Sequence, residues 1–332
     1  MAQEPVLSIQ NLKVDFVTEN GWATVVDDVS LDVMPNEALG IVGESGSGKS
    51  VTMMSTLRLL PTPPARIAGG RILFGGEDLL RIPESRLNKI RGNDIAMIFQ
   101  EPLTSLNPAF TVGDQVAEVV RQHRNVSRSD AWRRAIEMLD KVGIPSAAQR
   151  ANDYPHSFSG GMRQRAMIAA ALACDPKVLI ADEPTTALDV TVQALVLDLL
   201  SELRQEFGMA LILITHDLGV IADVCDRALV MYGGQIVEEA PIVPLFDRPR
   251  HPYTEGLLRS MPAVGAEAGN LWSIPGVVPP PWAMPRGCRF HPRCPYAEAG
   301  RCTEGAVPLT SDDSRTTRCV RRDELELAGA PR

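Results

Sequence analysis

The chain has 332 residues, 45% of them hydrophobic, and a formal net charge of −8 at pH 7. This length and apolar content allow a substantial buried core and suggest two domains. The negative charge argues against bulk affinity for nucleic acid or for an anionic membrane surface. No run resembles a signal peptide or approaches the roughly 18 apolar residues of a membrane span, so we expect a soluble, cytosolic protein that reaches a membrane only through partners.

Residues 6–33 alternate apolar and polar positions on both sides of a turn-like Glu19-Asn20-Gly21. A period of two is typical of strands, so this pattern predicts an antiparallel hairpin. Phe16, on its first strand, offers a flat aromatic face on which an adenine ring could stack. Trp22 competes for that role, and either residue is otherwise an ordinary strand aromatic.

A phosphate-binding loop comes next, between an apolar run at 38–42 and a segment with helical spacing at 49–60. Glycines in such a loop let backbone N–H groups turn inward around phosphate oxygens at the positive end of a helix dipole. We expect Lys49 to reach the β- and γ-phosphates and the Ser50 hydroxyl to bind magnesium. The predicted nucleotide-binding residues are Gly43, Glu44, Ser45, Gly46, Ser47, Gly48, Lys49, Ser50 and Val51.

Residues 61–92 are rich in proline, glycine and charge, which predicts loops and short elements. Residues 94–99 then form a second apolar run that predicts a strand ending at Gln100. The amide of Gln100 is suited to contact magnesium and the attacking water. From residue 101 the apolar positions take up helical spacing, which predicts a helical subdomain over about 101–175.

A second loop of small residues, Ser159, Gly160 and Gly161, precedes an alanine-rich helix that is predicted to run to about Cys174. Small residues at a helix N-terminus form an anion-binding surface. One nucleotide cannot easily use two such loops of the same chain, so we expect a head-to-tail dimer. In that dimer the second loop closes on ATP held by the partner's phosphate loop. The simpler alternative is a glycine-initiated helix that packs through alanine.

Acidic residues and a histidine follow two further apolar runs. The run at 178–181 suits a parallel strand buried on both faces and leads into Asp182 and Glu183. We expect Asp182 to support magnesium indirectly and Glu183 to orient and polarise the attacking water. Asp189 ends a short connection able to report the state of one site to the other. His216 ends the run at 211–215 and could donate to the γ-phosphate, although a lone histidine is more often structural.

The order of these motifs resembles the ATPase subunits of ABC transporters, over about residues 5–260. The resemblance implies an α/β ABC-type P-loop ATPase at 1–260, with a parallel-sheet core, an antiparallel β subdomain and an α-helical subdomain, that binds ATP and Mg²⁺. It also implies that Gln100 and the segment after it couple to membrane subunits. Phe158 and Met162 stand where many members have leucine and glutamine, but the serine and glycines are present.

Segments 100–108, 158–165 and 250–254 resemble the oligopeptide, dipeptide and nickel importer ATPases. This resemblance implies peptide import, powered from the cytoplasmic face of the inner membrane. The implied partners are two transmembrane permease subunits, a second related ATPase subunit or a second copy of this chain, and an extracytoplasmic substrate-binding protein, with no nucleic acid. The alternatives are a nickel or other small-solute importer and a soluble ABC ATPase outside transport.

Residues 261–332 are rich in proline and predict a loop-rich C-terminal domain. They hold four of the six cysteines, Cys288, Cys294, Cys302 and Cys319. In a reducing cytosol, clustered cysteines favour a metal over disulfides, and four thiolates suit zinc or an iron–sulfur cluster. The closely paired spacing common in zinc sites is missing from the sequence.

The stretch at 287–295 also resembles the C-terminal extension of peptide-importer ATPases, in some of which these cysteines hold a [4Fe–4S] cluster. Zinc and unligated thiols are the alternatives. Arg286, Arg289 and Arg293 could offset the negative charge of a metal site, or could simply be solvated. The remaining two cysteines, Cys174 and Cys225, are expected to be small core residues.

Overall fold

The computed structural model describes residues 4–100, 106–185, 189–261, 272–312 and 314–330. The chain divides into two compact units, each built from several segments. The first comprises Met1–Val6, Val33–Glu37 and Arg81–Leu213, and the second comprises Leu7–Asp32, Ala38–Leu80 and Ile214–Arg332.

The second unit contains an antiparallel sheet near the N-terminus. Its strands are β1 (Leu7–Thr18), β2 (Gly21–Val33), β4 (Ala65–Phe74) and β5 (Glu77–Asp78), in the order β2-β1-β4-β5. The predicted hairpin at 6–33 is confirmed.

The interpretation of residues 61–92 as loops and short elements is wrong for β4, which pairs with β1 along most of its length. Gly69 and Gly70 conceal the alternation that would have indicated this strand. Gly70 has φ 98°, and a Cβ there would lie 2.7 Å from the Cα of Leu12. The glycine therefore sits at an irregularity where two backbones approach closely.

A second group of strands in the same unit surrounds the segment that leads into the phosphate loop. β3 (Ala38–Val42) pairs in parallel with β9 (Arg227–Tyr232), and every residue of β3 is buried. Such burial explains its unbroken apolar sequence, since a parallel strand is covered on both faces. β9 continues antiparallel into β10 (Gln235–Pro241), beside which β12 (Arg315–Thr317) and then β11 (Thr310–Asp312) pair. The C-terminal region thus extends this sheet.

Helices of the second unit flank these strands. They are α1 (Lys49–Thr56), α8 (Leu218–Val224), α9 (Ile242–Asp247) and α10 (Pro252–Arg259). α1 is shorter than the helix predicted at 49–60, because Arg58, directly after the C-cap residue Leu57, has a left-handed backbone with φ 49°. Most of the other described residues after Arg259 lack regular structure, apart from 3₁₀ turns at Pro281–Ala283 and His291–Arg293.

The first unit contains β6 (Ile95–Ile98) paired in parallel with β7 (Val178–Asp182), and the start of β8 (Ala210–Thr215). Its helices are α2 (Glu84–Ile90), α3 (Val112–His123), α4 (Arg128–Lys141), α5 (Ala147–Arg150), α6 (Gly160–Leu172) and α7 (Val190–Phe207). The helices between 112 and 172 agree with a helical region there. The limits predicted for the helical subdomain and for the 1–260 and 261–332 domains stay predictions.

Local sequence explains where two of these helices begin. The Thr111 hydroxyl accepts from the backbone N–H of Asp114 at 3.2 Å, and the Ser127 hydroxyl accepts from that of Asp130 at 3.1 Å. Each satisfies a backbone donor that the first helical turn leaves unpaired.

Among the helices of the described ranges, none combines the length and the apolar character needed to cross a membrane.

Candidate functional site

The phosphate loop joins β3 to α1, as the sequence predicts. Gly48 caps α1 in a left-handed conformation with φ 97°. At Gly43, a Cβ atom would lie 2.2 Å from the carbonyl oxygen of Met231 in β9. Only glycine fits where the loop passes this strand so closely. Ser45 and Gly46 form an exposed tip, which places backbone N–H groups beside the N-terminus of α1.

Lys49 is buried at the start of α1. Its ammonium donates to the carbonyl oxygens of Gly43 at 2.7 Å and Glu44 at 3.0 Å, and to the hydroxyl of Ser47 at 3.4 Å. Ser50 and Val51, both half-buried, continue the first turn of α1. The loop thus gathers a cation and a helix N-terminus at one point, which is the arrangement that binds an anion.

Gln100 and Glu183 are brought into contact in the first unit. The Gln100 amide nitrogen donates to a Glu183 carboxylate oxygen at 2.8 Å. Asp182 is buried at the end of β7, and Glu183 follows with φ 47°. A residue other than glycine in this left-handed region carries backbone strain, and such strain is common at functional sites.

The second small-residue loop begins α6. The Ser159 hydroxyl caps the helix by accepting from the N–H of Met162 at 3.3 Å. A Cβ at Gly161 would lie 3.0 Å from Val192 in α7, whereas a Cβ at Gly160 would meet no described atom within 4 Å. Asp189 caps α7 by accepting from the N–H of Val192 at 2.9 Å. The other residues of the predicted connection, Ala187 and Leu188, lie outside the described residues.

The aromatic and histidine candidates belong to the second unit. Phe16 is half-buried on β1, opposite Ala65 of β4. Trp22 is half exposed, and the guanidinium of Arg66 lies over its ring at 3.9 Å. His216 is exposed between β8 and α8.

The four C-terminal cysteines line one small cavity of about 20 Å³. His251 and Phe290 also line it. His251 is fully buried, and burial lowers its pKa to about 3, so the ring is neutral. Its Nδ1 accepts from the N–H of Tyr253 at 3.0 Å, which leaves the proton on Nε2. Up to sixteen residues separate one of these cysteines from the next in the sequence. Only the tertiary structure brings the four thiols together.

The four cysteine sulfurs are the kind of donor atom that binds zinc or an iron–sulfur cluster. Burial raises the pKa of Cys294 to about 12 and that of Cys319 to about 11, so both are protonated thiols at neutral pH. Within the described ranges, no three or more His, Cys, Asp or Glu side chains are arranged to hold a metal ion. A cavity of this size has room for about one water, so the thiols would have to separate to admit a four-iron cluster.

The expected core cysteines, Cys174 and Cys225, are both buried.

Sequence reasoning missed two residues that contact the phosphate loop. The Tyr253 hydroxyl accepts from the N–H of Glu44 at 2.8 Å, and the Arg293 guanidinium pairs with the Glu44 carboxylate at 3.0 Å. Tyr253 lies in the segment 250–254, so that motif was an available signal. Arg293 and Arg289 were expected either to offset the charge of a metal site or to be solvated. Both are instead mostly buried and paired, Arg289 with Asp27 and the carbonyl of Gly233.

Two family models match the chain. The model described as "ABC transporter" matches residues 26–186, and the model described as "Oligopeptide/dipeptide transporter, C-terminal region" matches residues 237–302. The second match includes most of β10, all of α10 and three of the four clustered cysteines.

Relatives match along nearly the whole chain. A Brucella abortus protein named as a peptide import ATP-binding protein is 52% identical over 96% of this chain and 95% of its own length. Another B. abortus protein with the same kind of name is 49% identical over 98% of this chain and 99% of its own length.

Solved structures of ATP-binding cassettes also resemble the chain. The dimeric cassette MJ0796, bound to ADP and Pi, has a TM-score of 0.63 and 27% identity, covering 71% of this chain and 98% of its own. The protein cbiO1 of Clostridium perfringens, part of the transporter complex cbiONQ, has a TM-score of 0.62 and 25% identity, covering 74% and 91%. The chain therefore belongs to the ATP-hydrolysing subunits of ABC transporters, in their oligopeptide/dipeptide branch.

Proposed function

We propose that this chain powers the import of peptides through a membrane transporter by binding and hydrolysing ATP. The observation that carries the choice of peptide is the match of residues 237–302 to the oligopeptide/dipeptide C-terminal region, together with relatives named for peptide import over nearly the full length. This region contacts the phosphate loop, because its Tyr253 hydroxyl accepts a hydrogen bond from the N–H of Glu44.

The phosphate loop is the proposed ATP site. Lys49 binds the β- and γ-phosphates, the backbone N–H groups from Gly43 to Gly48 surround them, and Val51 follows in the same helical turn. Phe16 stacks on the adenine. The hydroxyl of Ser50 is an oxygen donor of the kind that Mg²⁺ prefers, and Gln100 supplies an amide oxygen of the same kind. When bound, Mg²⁺ neutralises charge on the phosphates.

Glu183 is the proposed residue that polarises the attacking water, and Asp182 supports the metal indirectly. The contact between Gln100 and Glu183 supports this role, because it fixes the direction of the carboxylate. His216 is proposed to donate to the γ-phosphate.

A head-to-tail dimer is the proposed working unit, formed with a second related ATPase subunit or a second copy of this chain. Ser159, Gly160 and Gly161 close on ATP held by the partner's phosphate loop, and Asp189 reports between the two sites. The open space above Gly160 supports this proposal, because packing among the described residues does not require glycine there. Closure with ATP and reopening after hydrolysis drive the transporter between its two states.

The other proposed partners are two transmembrane permease subunits and an extracytoplasmic substrate-binding protein. The chain then acts at the cytoplasmic face of the inner membrane, held there by the permeases through Gln100 and the segment after it. The substrate is selected by those other chains, which is why nickel or another small solute is the alternative cargo.

Uptake by cells provides the test. We expect cells to lose import of a labelled peptide when this chain carries Lys49→Met, whereas the same replacement at exposed Lys89 should leave uptake intact. Uptake of radioactive nickel is measured in parallel. Loss of nickel uptake with normal peptide uptake would transfer the assignment to nickel. Normal uptake of both, with no permease recovered alongside the purified chain, would favour an ABC ATPase outside transport.

The four clustered cysteines are proposed to hold a [4Fe–4S] cluster, with zinc as the alternative. Either group would cross-link loops around one cavity and so stabilise a part of the chain whose described residues have little regular structure. Iron, sulfide and zinc are measured on chain purified without oxygen. About four irons and four sulfides per chain, lost in Cys294→Ala, are expected. Stoichiometric zinc would replace the cluster, and absence of any metal would leave four free thiols.

A further inference from the structure

Arg293 joins the cysteine-rich region to the phosphate loop. It ends the 3₁₀ turn at His291–Arg293, directly before Cys294, and its side chain is only 5% exposed. Nη1 donates to both carboxylate oxygens of Glu44, at 3.0 and 3.1 Å. The other two guanidinium nitrogens donate to carbonyl oxygens of residues 274–276. Every nitrogen of the guanidinium is therefore paired, and its position is fixed.

Glu44 is held at three of its groups. Arg293 binds its carboxylate, the Tyr253 hydroxyl accepts from its N–H at 2.8 Å, and its carbonyl oxygen accepts from Lys49 at 3.0 Å. The last contact involves the same ammonium that binds phosphate in the proposed function. A shift of the Glu44 peptide therefore moves a partner of Lys49.

Buried aromatic rings surround this contact and restrict its movement. The rings of Tyr232, Tyr253 and Phe290 are all buried, and their centroids are 4.7 to 5.3 Å apart. The Arg293 guanidinium lies 5.7 Å from the ring centre of Tyr232. Close-packed rings of this kind transmit displacement instead of absorbing it. The phosphate loop is thus held from the C-terminal region.

The burial of Arg293 separates this pair from an ordinary surface ion pair, which contributes little. Glu44 is 30% exposed on its side chain, but its partner is almost completely shielded. Removing one member of such a pair leaves the other desolvated without its counter-charge, and this is costly. The other two nitrogens hold the guanidinium on the carbonyl oxygens of residues 274–276, which fixes its orientation in a way that a lysine cannot reproduce.

We propose that Arg293 is a positioning residue for ATP binding, which sets the phosphate loop through Glu44 and makes the loop depend on the cysteine-rich region. The proposal rests on ATP binding by that loop. Arg293 does not touch the reacting atoms, so its effect is on nucleotide affinity and not on the chemical step.

The test is a double-mutant cycle on the full chain with Arg293→Gln, Glu44→Gln and both together. The dissociation constant of a fluorescent ATP analogue with Mg²⁺ is measured for each. We expect the dissociation constant to rise about tenfold in each single variant, as for loss of a charged hydrogen bond. The double variant should show no further loss of affinity. Arg301→Gln, in the same region but paired with Glu298 and Glu324, is the matched control and should bind normally.

ATP hydrolysis by the assembled transporter gives a second readout. If Arg293 positions the loop, Arg293→Gln should raise the KM for ATP and leave kcat nearly unchanged. Arg293→Lys should recover part of the affinity. A purely structural role would instead lower the active fraction, so that kcat falls at constant KM, and that result would overturn the proposal. Unchanged affinity in the single variants, or additive losses in the double variant, would also overturn it.

Two further outcomes are decisive. If Arg293→Gln does not fold, Glu44→Gln removes the same contact from the more exposed side, and unchanged affinity in that variant overturns the proposal. If the unmodified chain fails to bind the analogue, the assignment of the phosphate loop as the ATP site fails and the proposal fails with it. Normal binding by the unmodified chain with weaker binding by Glu44→Gln supports both.

Discussion

The side chains of Gln100 and Glu183 are joined by a hydrogen bond of 2.8 Å, although 83 positions separate them in the chain. Gln100 follows β6, and Glu183 follows β7, the strand that pairs with β6 in parallel. Parallel pairing brings the ends of the two strands to one edge, where the amide can reach the carboxylate. Glu183 has a left-handed backbone, with φ 47°, directly after the end of β7. These features place the carboxylate in a defined position.

Replacement of Glu183 by Gln tests its role in activating water. We expect ATP turnover to fall by about 10²- to 10⁴-fold, the usual range for loss of a general base, while ATP still drives dimer formation. Phosphate release measures turnover, and size-exclusion chromatography with Mg²⁺ and ATP measures the dimer. The same replacement at exposed Glu202 in α7 is the control and should change neither quantity. Rapid turnover by Glu183→Gln would assign water activation to another group.

Replacement of Gln100 by Ala removes the hydrogen bond and leaves Glu183 in place. We expect turnover to fall about tenfold, because a hydrogen bond to a charged group is worth roughly 1.5–3 kcal/mol, with a smaller change in ATP affinity. Steady-state kinetics with varied ATP separate kcat from KM. Gln149→Ala, at an exposed position in α5, is the matched control. A change confined to KM would place Gln100 in nucleotide binding instead.

Replacement of Gly43 by Ala tests the close approach of the phosphate loop to β9. A Cβ would lie 2.2 Å from the carbonyl oxygen of Met231, so the loop must move. Overpacking of this kind typically costs about 1–3 kcal/mol of stability, and we expect nucleotide binding to weaken as well. Thermal unfolding and binding of the fluorescent analogue measure the two effects. Gly69→Ala, where the nearest atom is 3.9 Å from the added Cβ, should be close to neutral.

Ser159 and Ser127 allow a comparison between two serines that cap helices. Each hydroxyl accepts a backbone N–H, so replacement of either by Ala should cost about 1 kcal/mol of stability. Only Ser159 lies in the loop proposed to face a partner's nucleotide. We therefore expect Ser159→Ala to weaken ATP-driven dimer formation and Ser127→Ala to leave it intact, as measured by analytical ultracentrifugation with Mg²⁺ and ATP. Equal effects on the dimer would reduce Ser159 to a helix cap.

Local sequence patterns were sufficient to identify much of the candidate site. The phosphate loop, Glu183 and the loop at 159–161 each follow or precede an element whose apolar period is visible within about ten residues. The order of these motifs was enough to identify the family. β4 was missed because two glycines interrupt its alternation and because its partner β1 lies far away in the chain.

The sequence by itself determined the fold class, the phosphate-loop motif and the family with its type of chemistry, because those depend on short-range patterns and on residue types. Only the tertiary structure placed four dispersed cysteines around one cavity and brought Arg293 to Glu44 across 249 positions. Such contacts are decided by how strands pair and how aromatic rings pack, which no local period records. The link between the cysteine-rich region and the phosphate loop is therefore a property of the folded chain.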